Sequence, residues 1–398
     1  MNIDIPKGYR FAAVHCGLKS DPSQLDLSLI VADIPATAAG VFTPNLVCGA
    51  PVLVDRNRVP GEGFRAVVAN SRCANACTGG QGIRNAEEMA ALAAQTVGGN
   101  AQQGLVMSTG VIGVALPMDK IRSGIVAASQ KLTATANGFL DTARGIMTTD
   151  TKEKYMTKRL TLGNGNTITL AGICKGAAMI APNLATMLAV IMTDAALKPV
   201  AAQELLRNSA EESFNCISVD GHTSTSDTLL LLANGAAQPT PLDGDHLELF
   251  AKTLRELCIE LAVKIPEDGE GASHLITIDI DGCKTRGDAK TMARKIAEDA
   301  LVKTAICGAD PNWGRIVSAS GTAGVRYDPK KVSLKLNGFE LFKNGEPVPF
   351  DKTIVSASIR NNRATHILLT FGEGNSGIRF WTTDLTTEYV RLNSDYTT

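Results

Sequence analysis

Residues 177–196, AAMIAPNLATMLAVIMTDAA, limit what this chain can fold into more than any other segment. The run is almost uncharged over about the length that a membrane-spanning helix requires. Pro182-Asn183 and Thr186 interrupt it, Lys175 and Asp194 lie close to its ends, and its second half is short and rich in Leu and β-branched residues. A buried strand fits these signals better than a spanning helix. Burying such a strand needs a substantial core, and 398 residues, 44% apolar and 20% charged, are enough for two or three packed domains.

Lysine and arginine total 39 against 40 acids, a formal charge of -1. That balance offers none of the positive field that nucleic acid or an anionic membrane would need, so neither partner is expected. The nine cysteines are scattered, and the five histidines do not sit beside them at metal-ligand spacing. Cys73 and Cys77 are too far apart for a CxxC motif, and ANACTGGQG lacks both a P-loop ending and a full GxGxxG, so neither a metal nor a nucleotide is expected there. The opening MNIDIPKGYRF carries no secretory signal, and a cytoplasmic chain starting near Met1 with reduced thiols is the expectation.

Short apolar runs separated by turn signals dominate the first third. FAAVHCG, DLSLIVAD, AAGVFTPN, APVLVD and FRAVVAN each read as a strand of a mixed sheet. A helix is predicted from Asn85 as N-cap through EEMAALAAQTV, and another from near Pro117 through KIRSGIVAASQKL. Helical periodicity returns in AAQELLRNSAEESF and HLELFAKTLRELCIELAVKI, on either side of a hydroxyl-rich loop, VDGHTSTSDT. Then follow a strand (HLITIDID), one helix (AKTMARKIAEDALVKTAI) and hairpin-like pieces, VSLKLNG and THILLTFGEGNSGIRFWTT. The whole reads as α/β, with a core over residues 1–275 and a smaller C-terminal α+β domain over residues 276–398.

Thr186 stands directly before the apolar strand and after a Pro-Asn turn, where a strained loop meets a rigid element. Its hydroxyl can attack the preceding carbonyl, shift the acyl group from nitrogen to oxygen and, after hydrolysis of the ester, free its own amine. An α-amine has a pKa of about 7.7 to 8.0, so near neutrality part of it is unprotonated and can act as base for the adjacent hydroxyl. Spacing alone is equally met by an ordinary threonine at a strand entrance.

The segment AGICKGAAMIAPNLATMLAVIM resembles the self-cleavage signature of the ornithine acetyltransferase (glutamate N-acetyltransferase) family, through Lys175-Gly176, Met179-Ile180-Ala181-Pro182-Asn183 and Ala185-Thr186-Met187-Leu188. FTPN, ANACTGGQG, STGVIG, MTTDT, ISVDG, DGEGA, GADPNWGRI and DLTTEYVRLNSDYTT resemble family segments in the same order, so the likeness covers nearly the full length. Departures are Ala177-Ala178 where Ser-Gly is usual, Leu184 where Met is, and His222 and Ser226 where Asp and Asn are expected. The last two put any role of residues 220–227 in question.

The resemblance implies a mixed-sheet α/β sandwich of the self-cleaving aminopeptidase and ornithine acetyltransferase type, cut between Ala185 and Thr186 into residues 1–185 and 186–398. It implies Thr186 as nucleophile and Thr109 with Gly110 as the oxyanion hole, where each donor is worth roughly 2.7–4 kcal/mol. Thr149, Lys175, Glu270, Asn393 and Thr398 are implied to bind substrate together with Thr186. Lys175, the one charge in a long neutral stretch, would meet an α-carboxylate; read alone it is a lysine snorkelling from an apolar surface. Glu270 would meet the ornithine ammonium, and the tail would fold back over the site with Tyr389 and Tyr396 as anchors.

The implied reaction moves an acetyl group from N2-acetylornithine to glutamate through an acetyl-threonine ester in arginine biosynthesis. No cofactor is implied, acetyl-CoA is left open as a second donor, and the expected assembly is a heterotetramer of two alpha and two beta pieces. Two rivals stand beside this reading. One is an N-terminal-threonine amidohydrolase or aminopeptidase on the same scaffold, and the other a binding protein that never cuts itself.

Overall fold

A computed structural model describes residues 3–181 and 187–395. The predicted cut, Ala185-Thr186, and the terminal Thr398 lie outside the described residues, as do Pro182, Asn183 and Tyr396. The first sheet contains β1 (Tyr9–Val14), β2 (Leu27–Phe42), β3 (Gly61–Asn70), β4 (Gly104–Ser108), β5 (Lys154–Thr161), β6 (Thr167–Lys175), β7 (Leu188–Ala195) and β8 (Thr228–Gln238). Its order is β4-β3-β2-β8-β7-β6-β5, with β1 paired to β2 as well.

The sheet folds over on itself through β2. The first half of β2 pairs antiparallel with β1 and β3, and residues 37–42 pair with β8. Between the halves Asp33, Ile34 and Pro35 are exposed and the β3 register breaks, as expected where a proline withholds a ladder donor. Alternation then sorts side chains into layers. Ile30, Val67, Val190 and Leu230 meet in a central core between the two halves. Leu29 and Val68 face the helices Gly79–Gln95 and Met118–Ser129, whereas Ile191 and Leu231 face Pro199–Glu211 and Gly244–Glu267. The product is a four-layer α/β sandwich. In the central layer Phe139 packs edge-on to Phe11 at 5.3 Å and to Tyr155 at 6.2 Å.

The apolar run ends as the expected buried strand: all of β7 is buried, between antiparallel β6 and parallel β8. Among the described residues no helix is long and apolar enough to cross a membrane. A second sheet comprises β9 (Leu275–Cys283), β10 (Ser333–Leu336), β11 (Phe339–Lys343), β12 (Glu346–Pro347), β13 (Ala364–Thr370) and β14 (Ser376–Thr383), ordered β12-β11-β10-β13-β9-β14. One hydrophobic cluster unites Leu257 and Leu261 with Ile276, Ile278 and Phe380, so the two sheets share a core.

Several expectations need correction. APVLVD is a helix, Ala50–Arg56, started by Pro51. Its buried Asp55 carboxylate takes the Val106 N–H at 3.1 Å, and that tertiary anchor outweighs the strand preference of the valines. DLSLIVAD and AAGVFTPN are one bent strand, β2. The helix expected from Asn85 begins at Gly79, and Asn85 is buried within it. AKTMARKIAEDALVKTAI is two helices, Arg286–Glu298 and Ala300–Cys307, because the Asp299 side chain caps the second through the N–H groups of Leu301 and Val302. THILLTFGEGNSGIRFWTT is no hairpin, since β9 inserts between β13 and β14.

Truncating Phe139 to Ala removes the ring that joins both halves of the central layer. A loss of roughly 3–5 kcal/mol is expected, read as a lower urea midpoint; an unchanged midpoint would contradict this account of the layer.

Candidate active site

A cleft of about 280 Å³ opens where the two sheets meet, lined by Thr109, Gly110, Thr148, Thr149, Lys175, Ala178, Met179, Asp220, His222, Glu270, Tyr389 and Asn393. Every sequence-derived site residue among the described ones lines it: Thr109, Gly110, Thr149, Lys175, Glu270 and Asn393. A larger groove of about 670 Å³ runs between the helices Gly79–Gln95 and Met118–Ser129 and holds none of them.

Thr109 follows β4 and bridges Cys73. Its own N–H is taken by the Asn70 carbonyl at 3.1 Å, which leaves its hydroxyl to face the cleft beside Lys175. Gly110 has φ +130, and a Cβ there would fall 2.1 Å from the Arg72 carbonyl carbon, so only glycine fits. Among the described residues its N–H meets no acceptor. A hydroxyl donor and an unshared backbone N–H on adjacent residues are what an oxyanion needs.

Lys175, at the end of β6, is buried, and among the described residues its ammonium has a single hydrogen-bond partner, Thr109 Oγ1 at 3.5 Å. Burial pulls its pKa down, Asp150 opposes that, and Lys154 adds to it. Asp150 is a residue that the sequence reading missed. Its Oδ1 accepts from Lys154 Nζ at 2.7 Å and from the Gly176 N–H at 2.7 Å, and its Oδ2 from the Thr148 N–H at 3.1 Å. Lys154 Nζ also reaches Asp268 Oδ2 at 2.5 Å, and Thr151 donates to that carboxylate through both its N–H and its hydroxyl. Burial alone would raise the Asp150 pKa, but the two lysines and the Gly176 N–H hold it at about 2. The Asp-x-x-x-Lys spacing in TTDTKEKY is the signal that could have found this pair; nothing local announces Asp268.

Asp220, also missed, clamps the chain that leads toward residue 182. Its carboxylate accepts the Met179 N–H at 2.6 Å, the Ile180 N–H at 2.8 Å and the Tyr389 hydroxyl at 3.1 Å. The Ile180 carbonyl takes the N–H groups of Val219, Asp220 and Gly221 and the Ser218 hydroxyl. Met179 is held at φ +56, a left-handed conformation that costs a non-glycine residue roughly 1–2 kcal/mol. Lys303, buried and with its pKa lowered by burial to about 8, donates to the Val219 carbonyl at 2.7 Å and steadies the same loop. The helix Thr387–Asp395 lies across the cleft: Asn393 Nδ2 donates to Glu270 Oε2 at 2.9 Å, and Thr386 Oγ1 to the Gly271 carbonyl at 2.7 Å. A Cβ on Gly271 would come 2.5 Å from the Tyr389 nitrogen, which is why the helix can lie so close.

On the far side of residues 182–186 the Met187 N–H donates to Asp227 Oδ1 at 3.2 Å. Asp227 is fully buried, and among the described residues its Oδ2 has no hydrogen-bond partner. Burial pushes its pKa well above the usual carboxylate range, and the Met187 N–H offsets this only in part. His222 lines the cleft and Ser226 is buried.

A buried lysine, a hydroxyl beside an unshared N–H and an opposing carboxylate are groups chemically able to hold a small zwitterion and a developing oxyanion. The chain belongs to the ArgJ family, whose model matches residues 10–398. It is 44% identical over 397 residues to the arginine biosynthesis bifunctional protein ArgJ of Rhodopirellula baltica, covering 99% of this chain and 96% of that protein. The ArgJ protein of Bacillus subtilis is 41% identical over 400 residues, covering 100% of this chain and 97% of its own length. Among solved structures, an arginine biosynthesis bifunctional protein from Bacillus halodurans is similar at 35% identity and a TM-score of 0.50, covering 51% of this chain and 96% of that one.

A carboxyl whose folded pKa is raised binds its proton more tightly than in the unfolded chain. It therefore costs stability above its unfolded pKa of about 3.9, increasingly so as pH rises toward the folded value. Asp227→Asn should raise the thermal midpoint at pH 7 and leave it nearly unchanged near pH 3. A lower midpoint at pH 7 would count against a neutral Asp227.

Proposed function

We propose that the chain is an acetyltransferase of arginine biosynthesis that moves an acetyl group from N2-acetyl-L-ornithine to L-glutamate. The observation that carries this reading is the convergence of Thr109, Gly110, Thr149, Lys175, Glu270 and Asn393 on one cleft, in a chain that matches ArgJ relatives from end to end.

The first step in this reading happens once. The Thr186 hydroxyl oxygen bonds to the Ala185 carbonyl carbon, the peptide C–N bond breaks, and the hydroxyl proton ends on the departing nitrogen. Water then hydrolyses the ester, leaving a carboxylate on Ala185 and a free amine and hydroxyl on Thr186. The left-handed Met179 and the Asp220 clamp, which fix the chain at residues 179 and 180, support the step. So does the solved Bacillus halodurans chain, nearly all of which is matched by half of this one, as a separated piece would be.

In each turnover the Thr186 hydroxyl attacks the acetamide while its amine takes the proton. Thr109 and Gly110 hold the oxyanion, and the proton passes to the departing ornithine nitrogen. Glutamate, whose attacking amine is unprotonated, then takes the acetyl group from the threonine ester, which makes the kinetics ping-pong. Lys175 holds the α-carboxylate that both amino acids share, Glu270 meets the ornithine ammonium in exchange for Asn393, and Thr149, Asn393 and Thr398 complete the enclosure. Acetyl-CoA as a second donor fits the bifunctional naming of the relatives. Residues 1–275 are the catalytic core, residues 276–398 carry the tail to it, and two alpha and two beta pieces form a cytoplasmic heterotetramer.

Denaturing electrophoresis should resolve two fragments, residues 1–185 and 186–398; a single intact band from active protein would sink the mechanism. Thr186→Ala should be uncut and inactive, and Thr186→Ser should be cut at least in part. With labelled acetylornithine, transfer yields labelled acetylglutamate, whereas release of free acetate would favour the amidohydrolase rival. Removing residues 396–398 should reduce turnover without lowering the thermal midpoint, and full activity after that truncation would remove the tail from the site.

A further inference from the structure

Lys175 presents a problem that its own contacts do not solve. It is 2% exposed, no carboxylate lies within 4.0 Å of it among the described residues, and its single hydrogen bond, to Thr109, is long. A buried ammonium without a countercharge loses its proton, and a neutral amine would hold a carboxylate poorly.

We propose that Asp150 is a positioning residue of the acetyl transfer, supplying the countercharge for Lys175 and locking the two chain segments that present Lys175 and Thr149 to substrate. Two of its contacts are to backbone N–H groups next to those residues. Gly176 follows Lys175, and Thr148 precedes Thr149. One carboxylate thus fixes the end of β6 against the turn that leads into β5. Its third contact explains why it keeps its charge in a dry site: Lys154 Nζ binds it at 2.7 Å and is itself held by Asp268. Two buried lysines and two buried aspartates balance, and Asp150 is the member that faces both cations.

The charged groups around Lys175 act in known directions. Asp150 favours its cation, as does Glu270 more weakly, Asp227 adds to this only when it is ionised, and Lys154 on β5 opposes it. Lys19, whose ammonium caps the Leu25 and Met147 carbonyls, faces the same cluster, and Asp268 acts on it through Lys154. Removing Asp150 and removing Lys154 must therefore move Lys175 in opposite directions, although each breaks the same buried pair. A merely structural role would give both variants the same sign.

This inference rests on the reading of Lys175 as the carboxylate-holding group, and the test separates the two. The pKa of Lys175 can be measured in the purified full-length protein by competitive labelling with acetic anhydride at graded pH, read by mass spectrometry. It should fall by about one unit or more in Asp150→Asn and rise in Lys154→Met. In Asp150→Asn, KM should increase about tenfold or more for both acetylornithine and glutamate with a smaller change in kcat, and the alkaline limb of 1/KM should move to lower pH. In Lys154→Met that limb should move to higher pH. The double variant Asp150→Asn, Lys154→Met removes both the countercharge of Lys175 and the cation that opposes it, and it should place the limb between those of the two single variants.

A Lys175 pKa unchanged in Asp150→Asn, or shifts of the same sign in both single variants, would overturn the assignment. If Asp150→Asn fails to fold, Lys154→Met and the double variant decide: no rise in the first, or a limb in the second at or above that of the first, rejects it. A wild-type protein that transfers no acetyl group would instead reject the proposed function and leave the labelling result standing.

Discussion

The parallel pairing of β7 with β8 is the constraint on which the rest of the molecule depends. The pair runs in register from Leu188 with Thr228 to Thr193 with Ala233, and both strands are buried there. Their alternate side chains fill the central core on one face and the helix-covered core on the other, so a slip of one residue would exchange the two layers. The same register sets the entrance to β7, where the Met187 N–H meets Asp227 and the Met187 carbonyl takes the Thr228 N–H.

Around that entrance the chain keeps ionisable groups dry and pairs them unevenly. Lys154, Asp150 and Asp268 satisfy one another, whereas among the described residues Lys175 has one long hydrogen bond and Asp227 keeps an oxygen unpaired. Fully satisfied buried networks rigidify, and buried groups left short of partners are costly. The distribution therefore has a direction: the paired charges lie behind the cleft wall, and the underpaired ones lie at the cleft or beside the strand entrance next to it. Lys303 and Asp220 extend the same arrangement by fixing the loop on the other side.

Much of this was legible in the residues. An uncharged run broken by Pro-Asn and ending in a β-branched stretch could be placed as a buried strand because burial on both faces needs that composition. The six cleft residues could be gathered through their motifs, although no spacing in the sequence places Thr109 beside Lys175. Only the fold, with β4 and β6 ending at one edge of the sandwich, does that. Asp150, Asp268 and Asp220 were not legible as a group because their work is done on backbone N–H groups from distant segments, which leave no mark in side-chain pattern. The errors have the same cause. Ala50–Arg56 is helical because Asp55 is anchored on Val106, and β13 parts from β14 because β9 pairs with both.

The site also draws on both sides of the Ala185-Thr186 bond. Thr109, Gly110, Thr149 and Lys175 precede that bond, and Asp220, Glu270, Tyr389 and Asn393 follow it. A chain cut there could keep such a cleft only if its pieces stayed locked together. The sheet supplies the lock: β6 pairs antiparallel with β7 from Leu170 with Thr193 to Lys175 with Leu188, and β2 pairs with β8 from Thr37 with Ala233 to Phe42 with Thr228. Separating the pieces would strip both edges of the β7–β8 pair and open the central core, so the pieces of a cut chain would behave as one folded unit. Breaking one bond ahead of β7 would then cost little of the structure, because β7 stays held from Leu188 onward by β6 on one side and β8 on the other.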